Sequence, residues 1–124
     1  MEKFYLKPTD DLPGVSIDPK TGSIEFWGQS LPEDTIHFFQ PIIDAIEEYF
    51  KNPRPKTILN LKLIYLNTSS SKKILEIASI LEQKYIEGLD VEINWICSSD
   101  DEDMMDEGKE FARLTSIPVN FVTE

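Results

Sequence analysis

Cysteine and histidine are almost absent from this 124-residue sequence, which has one of each. The single cysteine, Cys97, excludes an internal disulfide, and its place at the end of an apolar segment favours a small buried thiol over a reactive one. The single histidine, His37, falls within a predicted helix, where we expect a surface or partly buried side chain rather than a member of a catalytic triad. We predict no cofactor and no metal centre.

Basic residues are also scarce, since 12 Lys and Arg stand against 23 Asp and Glu, a formal net charge of −11. This charge repels a phosphate backbone and an anionic membrane surface. No apolar run approaches the ~20 residues needed to cross a bilayer, and the first residues, MEKFYLKPTDD, lack the apolar stretch of an export signal. We therefore predict a cytoplasmic protein that binds neither nucleic acid nor a membrane.

The apolar residues that are present, 40% of the chain, suffice for one packed core. We predict a single domain over residues 1–124. Near its start, residues 15–17 and 23–27 flank the sequence DPKTG, in which Pro19 suits a turn and Gly22 suits a positive φ. This pattern predicts an N-terminal β-hairpin.

Three later segments have the apolar periodicity of helices. In the first, Ser30 and Glu33 have the spacing of a capping box, and the internal Pro41 is expected to bend or offset the helix. The second ends before Gly88, which favours a helix C-terminus there, and the third begins near residue 99 and runs through Phe111 and Leu114. The apolar positions of the first two are Ile36, Phe39, Ile43, Ile46 and Phe50, then Ile74, Ile77, Ala78, Leu81 and Tyr85.

Strands are predicted between these helices, at residues 57–66, 91–97 and 117–122. The first of them, TILNLKLIYL, has apolar residues on both faces, which indicates a largely covered interior strand. The predicted order is ββαβαβαβ. Alternation of strands and helices after the hairpin is typical of an α/β domain with right-handed crossovers and a mainly parallel sheet.

Hydroxyl residues are concentrated at the junction of the central strand and the second helix, where residues 65–73 read YLNTSSSKK. Ordinary helix capping needs only one such side chain. A small serine hydrolase is a second interpretation, because Ser69 and Lys72 form S-x-x-K and residues 20–22 spell K-T-G. The K-T-G precedes the S-x-x-K, no S-D-N is present, and the chain is too small for that fold, so this interpretation is disfavoured.

A third interpretation makes Thr68 a phosphoacceptor. A phosphate there would face the unsatisfied amides and the positive dipole end of the second helix, with lysines one turn onward. A partner packed over the modified side chain would have to desolvate a dianion, so one hydroxyl can control binding. The partner-binding residues expected from proximity are Leu66, Asn67, Ser69, Ser70, Lys72 and Lys73.

The acidic run DDEDMMDE at residues 100–107 lacks the ligand spacing and central glycine of an EF-hand loop, so we interpret it as a solvated helix start. Met104, Met105 and Phe111 can be explained either as part of an adaptable docking patch or as buried core contacts.

The strand end L-x-Y-L-N-T-S-S, which runs directly into an amphipathic helix, resembles the SiaC-like bacterial regulatory phosphoproteins. The resemblance extends from about Pro8 to Val122 in length, element order and acidic balance, and includes an S-x-P-E segment at residues 30–33. Asp34 stands where the family pattern leads us to expect Asn. Asn67 replaces the acidic residue of the related anti-sigma-factor antagonists, which disfavours a sigma-factor circuit.

This resemblance implies a STAS-like fold and a non-enzymatic, partner-switching role. It implies that a dedicated kinase phosphorylates Thr68 and that a metal-dependent serine/threonine phosphatase removes the phosphate. The unphosphorylated form is then expected to bind and activate a diguanylate cyclase, which raises cyclic di-GMP and promotes biofilm formation. An unswitched protein-interaction scaffold remains a further alternative.

Overall fold

Six strands form one sheet, and three helices connect the strands of its parallel half. The structure, a computed structural model, describes residues 1–124. In chain order its elements are β1 (Phe4–Leu6), β2 (Gly14–Asp18), β3 (Ser23–Ser30), α1 (Thr35–Tyr49), β4 (Lys56–Leu66), α2 (Thr68–Ile86), β5 (Asp90–Cys97), α3 (Glu102–Arg113) and β6 (Val119–Thr123). The strands lie side by side in the same order, β1 to β6.

The N-terminal part of the sheet is antiparallel. The predicted hairpin is confirmed as β2 and β3, joined by a turn in which Gly22 has a φ of 78°. A side chain at Gly22 would also meet the carbonyl oxygen of Lys56 at 2.2 Å, so both conformation and space require glycine. The prediction omitted β1, which pairs with β2 and makes the true order βββαβαβαβ. Its three residues are too few to show a strand periodicity.

The remaining pairs, β3 with β4, β4 with β5 and β5 with β6, are parallel, which confirms the predicted α/β class and mainly parallel sheet. Buried residues alternate along the strands and face the helices, as in β4 at Thr57, Leu59, Leu61 and Leu63. None of the helices combines the length and apolar composition that crossing a membrane requires.

The opposite face of the sheet is not covered by helices. On β4, Lys62 and Ile64 are exposed there, so the prediction of a strand covered on both faces is wrong. On the same face of β4, Asn60 accepts a hydrogen bond from Asn94 of β5 at 2.8 Å. Asn94 in turn accepts one from Asn120 of β6 at 3.1 Å. A side-chain amide ladder thus crosses three parallel strands where the sequence indicated apolar packing.

Helix α1 begins later than the capping box predicted. Its N-cap is Asp34, whose carboxylate accepts from the His37 amide at 3.0 Å, whereas Ser30 is the last residue of β3. Ile36, expected in the core, lies in the first turn of α1 and is 67% exposed. Pro41 lies within an uninterrupted helix, so its missing amide does not break the element. His37 is exposed, as expected.

Helices α2 and α3 agree with the predicted segments. Ile74, Ile77, Ala78 and Leu81 are buried on one face of α2, and the turn after it contains Gly88 at a φ of 104°. Met104 and Phe111 are buried in the core, which leaves only the half-buried Met105 for any surface role. Cys97 is buried too, and burial, with a smaller contribution from Asp101, raises the pKa of its thiol.

Candidate functional site

The N-terminus of α2 lies where β4 ends, beside the end of β3. The Asn67 amide donates to the carbonyl of Ser30 at 3.1 Å, which extends the strand pairing up to the helix. The Asn67 side chain then caps α2 by accepting from the Ser70 amide at 2.9 Å. Asn67, which caps α2, therefore also holds the junction of β4 and α2 to the neighbouring strand β3.

Three of the four consecutive hydroxyl residues are engaged in side-chain hydrogen bonds. Ser70 is 0% exposed, and its Oγ donates to the carbonyl of Ser30 at 3.2 Å and lies 2.8 Å from the Oγ of Ser30. Ser69 Oγ lies 2.7 Å from Thr35 Oγ1, at the start of α1. Ser71 Oγ donates to Glu107 of α3 at 2.7 Å. Each serine therefore ties α2 to a different element.

Thr68 differs from these three serines. It is the first residue of α2, its side chain is exposed, and its hydroxyl makes no hydrogen bond to the rest of the chain. A kinase can reach an exposed threonine oxygen without disrupting a buried contact. Of the four hydroxyls, only the Thr68 hydroxyl can be modified without removing a bond that holds the fold.

The charges around this helix start favour an anion. The first turn of α2 contains no acidic residue, and its N–H groups have one side-chain acceptor, Asn67, at Ser70. Lys72 lies one turn from Thr68, exposed and without a carboxylate partner, whereas Lys73 forms an ion pair with Glu76 at 2.9 Å. Lys72 is thus the lysine available to an anion at Thr68.

The predicted partner-binding residues divide into two groups. Leu66, Asn67 and Lys73 are half-buried, and Ser69 and Lys72 are exposed, so these five present some surface around Thr68. Ser70 does not, because it is fully buried. It holds the helix start in place and has no surface to offer a partner.

The arrangement gives no support to a serine hydrolase. Ser69 Oγ contacts Thr35 Oγ1 and, at 3.3 Å, the side-chain oxygen of Asn67, and neither group is a general base. No hydrogen bond joins Ser69 to Lys72. The only histidine, His37, makes no side-chain hydrogen bond to either residue.

Two residues that hold this site were not identified from the sequence in that role. The capping-box spacing predicted Ser30 as a helix cap, and no role was predicted for Thr35. In the structure, Ser30 and Thr35 bond Ser70 and Ser69, from 40 and 34 residues away. The available signal was the S-x-P-E segment at residues 30–33, whose serine has no capping role in the structure.

Comparisons with known proteins support the resemblance along the whole chain. A family model described as SiaC family regulatory phosphoprotein matches residues 6–124. An uncharacterized protein of Pseudomonas aeruginosa strain UCBPP-PA14 is 29% identical over 118 residues, which span 95% of this chain and 94% of that protein.

Two solved structures also match this chain over almost its whole length. The crystal structure of apo-SiaC from P. aeruginosa has a TM-score of 0.90 and 28% identity, over 99% of this chain and 100% of that one. A chain in the crystal structure of the P. aeruginosa diguanylate cyclase SiaD in complex with its activator SiaC has a TM-score of 0.92 and 27% identity, over 98% and 99%. These matches confirm the fold that the resemblance implied.

Proposed function

Because this chain belongs to the SiaC family of regulatory phosphoproteins, we propose that it is a partner-switching signalling protein controlled by phosphorylation of Thr68. In the unphosphorylated form it binds and activates a diguanylate cyclase, as SiaC is described as the activator of SiaD. Phosphorylation releases the cyclase. The chain acts by binding and is not itself an enzyme.

The observation that carries this proposal is the difference between Thr68 and the serines that follow it. The Thr68 hydroxyl is exposed and unbonded, while Ser69, Ser70 and Ser71 each bond another element. A kinase therefore has one accessible oxygen whose modification leaves the fold intact. A metal-dependent serine/threonine phosphatase has the same access for removing the phosphate, and we place both enzymes and this protein in the cytoplasm.

The phosphate can be accommodated by the free protein. It brings a charge of about −1.5 to −2, next to the positive dipole end of α2, and Lys72 lies one helical turn away. At an exposed position such interactions stabilise by about 0.3–1 kcal/mol each. The modification therefore persists without unfolding the domain.

A bound partner responds differently to the same group. If the cyclase packs over Thr68, it must remove water from a dianion, at a cost of several kcal/mol unless new cations are supplied. A loss of about 2.7 kcal/mol already weakens binding by roughly a hundredfold. Release of the partner therefore requires no conformational change in this chain.

The proposal is tested with purified protein carrying phosphothreonine at position 68 and with SiaD of P. aeruginosa as the cyclase. We expect the unphosphorylated protein to bind SiaD and to raise its rate of cyclic di-GMP synthesis, and the phosphorylated protein to bind about a hundredfold more weakly by titration calorimetry. Thr68→Val is the matched control, since it keeps the side-chain shape, loses the phosphoacceptor and should bind like the wild type. Equal affinities of the two phosphorylation states would refute the switch.

Intact-mass measurement of the protein from its native cells separates this function from the alternatives. We expect a species heavier by one phosphate that is absent in Thr68→Ala. An unswitched scaffold shows no such species. A hydrolase is labelled at Ser69 by a serine-reactive probe and loses the label in Lys72→Ala.

A further inference from the structure

The two edges of the sheet differ in how well they are protected against pairing with another strand. β1, at one edge, has only three residues and is flanked by Lys3 and Lys7, with Pro8 next along the chain. Short edge strands, lysines and prolines are devices that keep an edge from pairing. β6, at the other edge, has five residues, VNFVT, without a charge, a proline or a bulge. We therefore expect further strand pairing at β6 and not at β1.

The backbone of β6 is paired on one side only. On that side, the Glu124 amide donates to the Cys97 carbonyl of β5 at 3.1 Å. Alternate residues of a parallel strand direct their N–H and C=O groups to the same neighbour, so the even-numbered residues of β6 bond β5. The odd-numbered residues direct theirs away from the sheet, where no strand lies, and these residues are Val119, Phe121 and Thr123.

The side chains of β6 are also in contact with water. Phe121 is 43% exposed and Val122 is 40% exposed, and they lie on opposite faces of the sheet. Phe121 is the register partner of Trp95 on the face that carries the helices, but α3 packs mainly on β4 and β5 and leaves the edge uncovered. Val122 is the register partner of the half-buried Ile96 on the open face. An added strand would therefore cover apolar surface on both faces.

The charge of the chain restricts where a second copy can approach. With a net charge of −11, two copies repel each other over most of their surfaces. β6 itself is uncharged, and the adjacent Glu124 carboxylate is paired with Lys62 at 2.7 Å. Two copies can therefore meet along β6 without placing unpaired carboxylates opposite each other in the paired strands.

The β6 edge is complementary to itself. In antiparallel pairing about a two-fold axis at Phe121, each Phe121 lies opposite its own copy, and Val119 of one chain lies opposite Thr123 of the other. These are the residues whose N–H and C=O groups point outward, so each opposed pair exchanges two hydrogen bonds. A register centred on Asn120 or Val122 leaves one outward-facing residue of each strand beyond the end of the other. The register centred on Phe121 thus satisfies the edge most completely.

The helices leave room for this pairing. Neighbouring strands lie about 4.8 Å apart, and α3 of each copy packs mainly on β4 and β5, so the axes of the two α3 helices would lie about 19 Å apart. Helices in direct contact need only about 8–10 Å between their axes. The two Phe121 side chains then occupy the space between the helices.

From this geometry we propose that two copies of this chain associate by antiparallel pairing of their β6 strands about a two-fold axis at Phe121. The paired edge is about 17 Å long, which is small for a standard interface of about 800 Å² per partner, so the dimer is weak and depends on concentration. Thr68 stays free in both copies, because it follows β4, two strands from the paired edge. The pairing is therefore independent of the proposed function.

The first test is sedimentation velocity of the purified, unphosphorylated protein between about 1 μM and about 1 mM. We expect a monomer–dimer equilibrium that Phe121→Lys weakens by tenfold or more, because it removes an aromatic pair and sets two like charges opposite each other. The matched control is Tyr65→Lys, which makes the same charge change at a 51% exposed aromatic residue of β4, away from the edge. The control should dimerise like the wild type, and thermal unfolding should show both variants folded.

The second test is amide hydrogen exchange, followed by NMR in the wild type at low and high protein concentration. The outward-facing amides of Val119, Phe121 and Thr123 should exchange roughly tenfold more slowly when about nine tenths of the chain is dimeric, because exchange then proceeds from the remaining monomer. The amides of Asn120 and Val122, which bond β5, are internal controls and should not change with concentration. Alternating protection of this kind supports both the edge and its register.

Three outcomes overturn the proposal. One is a wild type that sediments as a monomer over the whole range. Another is a dimer that Phe121→Lys weakens no more than Tyr65→Lys does, since that dimer forms on another surface. The third is exchange at Val119, Phe121 and Thr123 that does not depend on concentration, and this measurement decides the question even if Phe121→Lys fails to fold. Binding of SiaD tests the proposed function separately, so either proposal can fail while the other stands.

Discussion

Helices α2 and α3 begin with the same kind of capping hydrogen bond but with different charges. Asn67 accepts from the Ser70 amide at 2.9 Å, and Asp101 accepts from the Met104 amide at 3.0 Å. The first turn of α3 then contains Glu102 and Asp103, whereas the first turn of α2 contains no acidic residue. The positive dipole end of α3 is therefore compensated by its own carboxylates, and that of α2 is not.

This difference indicates where a regulatory anion is tolerated. A phosphate added at the start of α3 would join several carboxylates and raise the local repulsion, whereas a phosphate at Thr68 would supply the negative charge that α2 lacks. The two helix starts also differ in what anchors them. Trp95 lies beneath α3 as a core anchor, while the start of α2 is held by hydroxyl groups.

The strongest test of this contrast removes the core anchor of α3. Trp95 is buried, donates from Nε1 to the Met104 carbonyl at 3.0 Å, and packs so closely on Gly108 that a Cβ there would lie 2.6 Å from the ring. We expect Trp95→Ala to lower the free energy of unfolding by about 3–5 kcal/mol, measured by urea denaturation. Trp27→Ala, on the open face of the sheet, is the control and should lower the free energy of unfolding clearly less than Trp95→Ala does. Equal losses would show that the core does not anchor α3.

A smaller but sharper test compares two hydroxyls within one turn of α2. Ser70→Ala leaves the buried hydroxyl of Ser30 without its partner, so we expect a loss of about 1–3 kcal/mol in the free energy of unfolding. Thr68→Ala removes a hydroxyl that makes no hydrogen bond in the protein, and it should change the free energy of unfolding by less than about 0.5 kcal/mol. A large loss in Thr68→Ala would contradict the free hydroxyl on which the proposed switch depends.

Removing the N-cap of α2 and removing that of α3 should lower the free energy of unfolding by similar amounts. Asn67→Ala and Asp101→Ala each leave a first-turn amide without its acceptor. Each should lower the free energy of unfolding by about 1 kcal/mol, measured by urea denaturation. Only the Asp101 loss should shrink in high salt, because only that cap carries a charge. The same salt dependence at both positions would mean that local charge does not distinguish the two helix starts.

The smallest expected effects have opposite signs at the two helices. Thr68→Glu places the first acidic side chain in the opening turn of α2 and should raise the free energy of unfolding by about 0.3–1 kcal/mol. Glu102→Gln removes one of the two acidic side chains in the first turn of α3 and should lower the free energy of unfolding by a similar amount. Thermal unfolding at low ionic strength measures both, and a destabilising Thr68→Glu would argue against an uncompensated helix end.

Local pattern in the sequence was enough to predict most of the helices and strands. Helical spacing from Ile74 to Leu81, the hairpin around Gly22 and the strand at residues 91–97 all lie as predicted, because burial on one face imposes a fixed period on each element. The cluster after Leu66 was also recognised as a helix start with a candidate phosphoacceptor. These features depend on residues close together in the chain.

Only the tertiary structure decided which hydroxyl is free and which face of the sheet is open. Ser70 and Ser69 are engaged by Ser30 and Thr35, contacts that span more than thirty residues and leave no periodic trace in the sequence. In the same way, β4 has apolar residues on both faces, yet all three crossover helices cover only one of them. Partners that are distant in the chain meet only through packing, and for that reason the free oxygen of Thr68 was visible only in the folded chain.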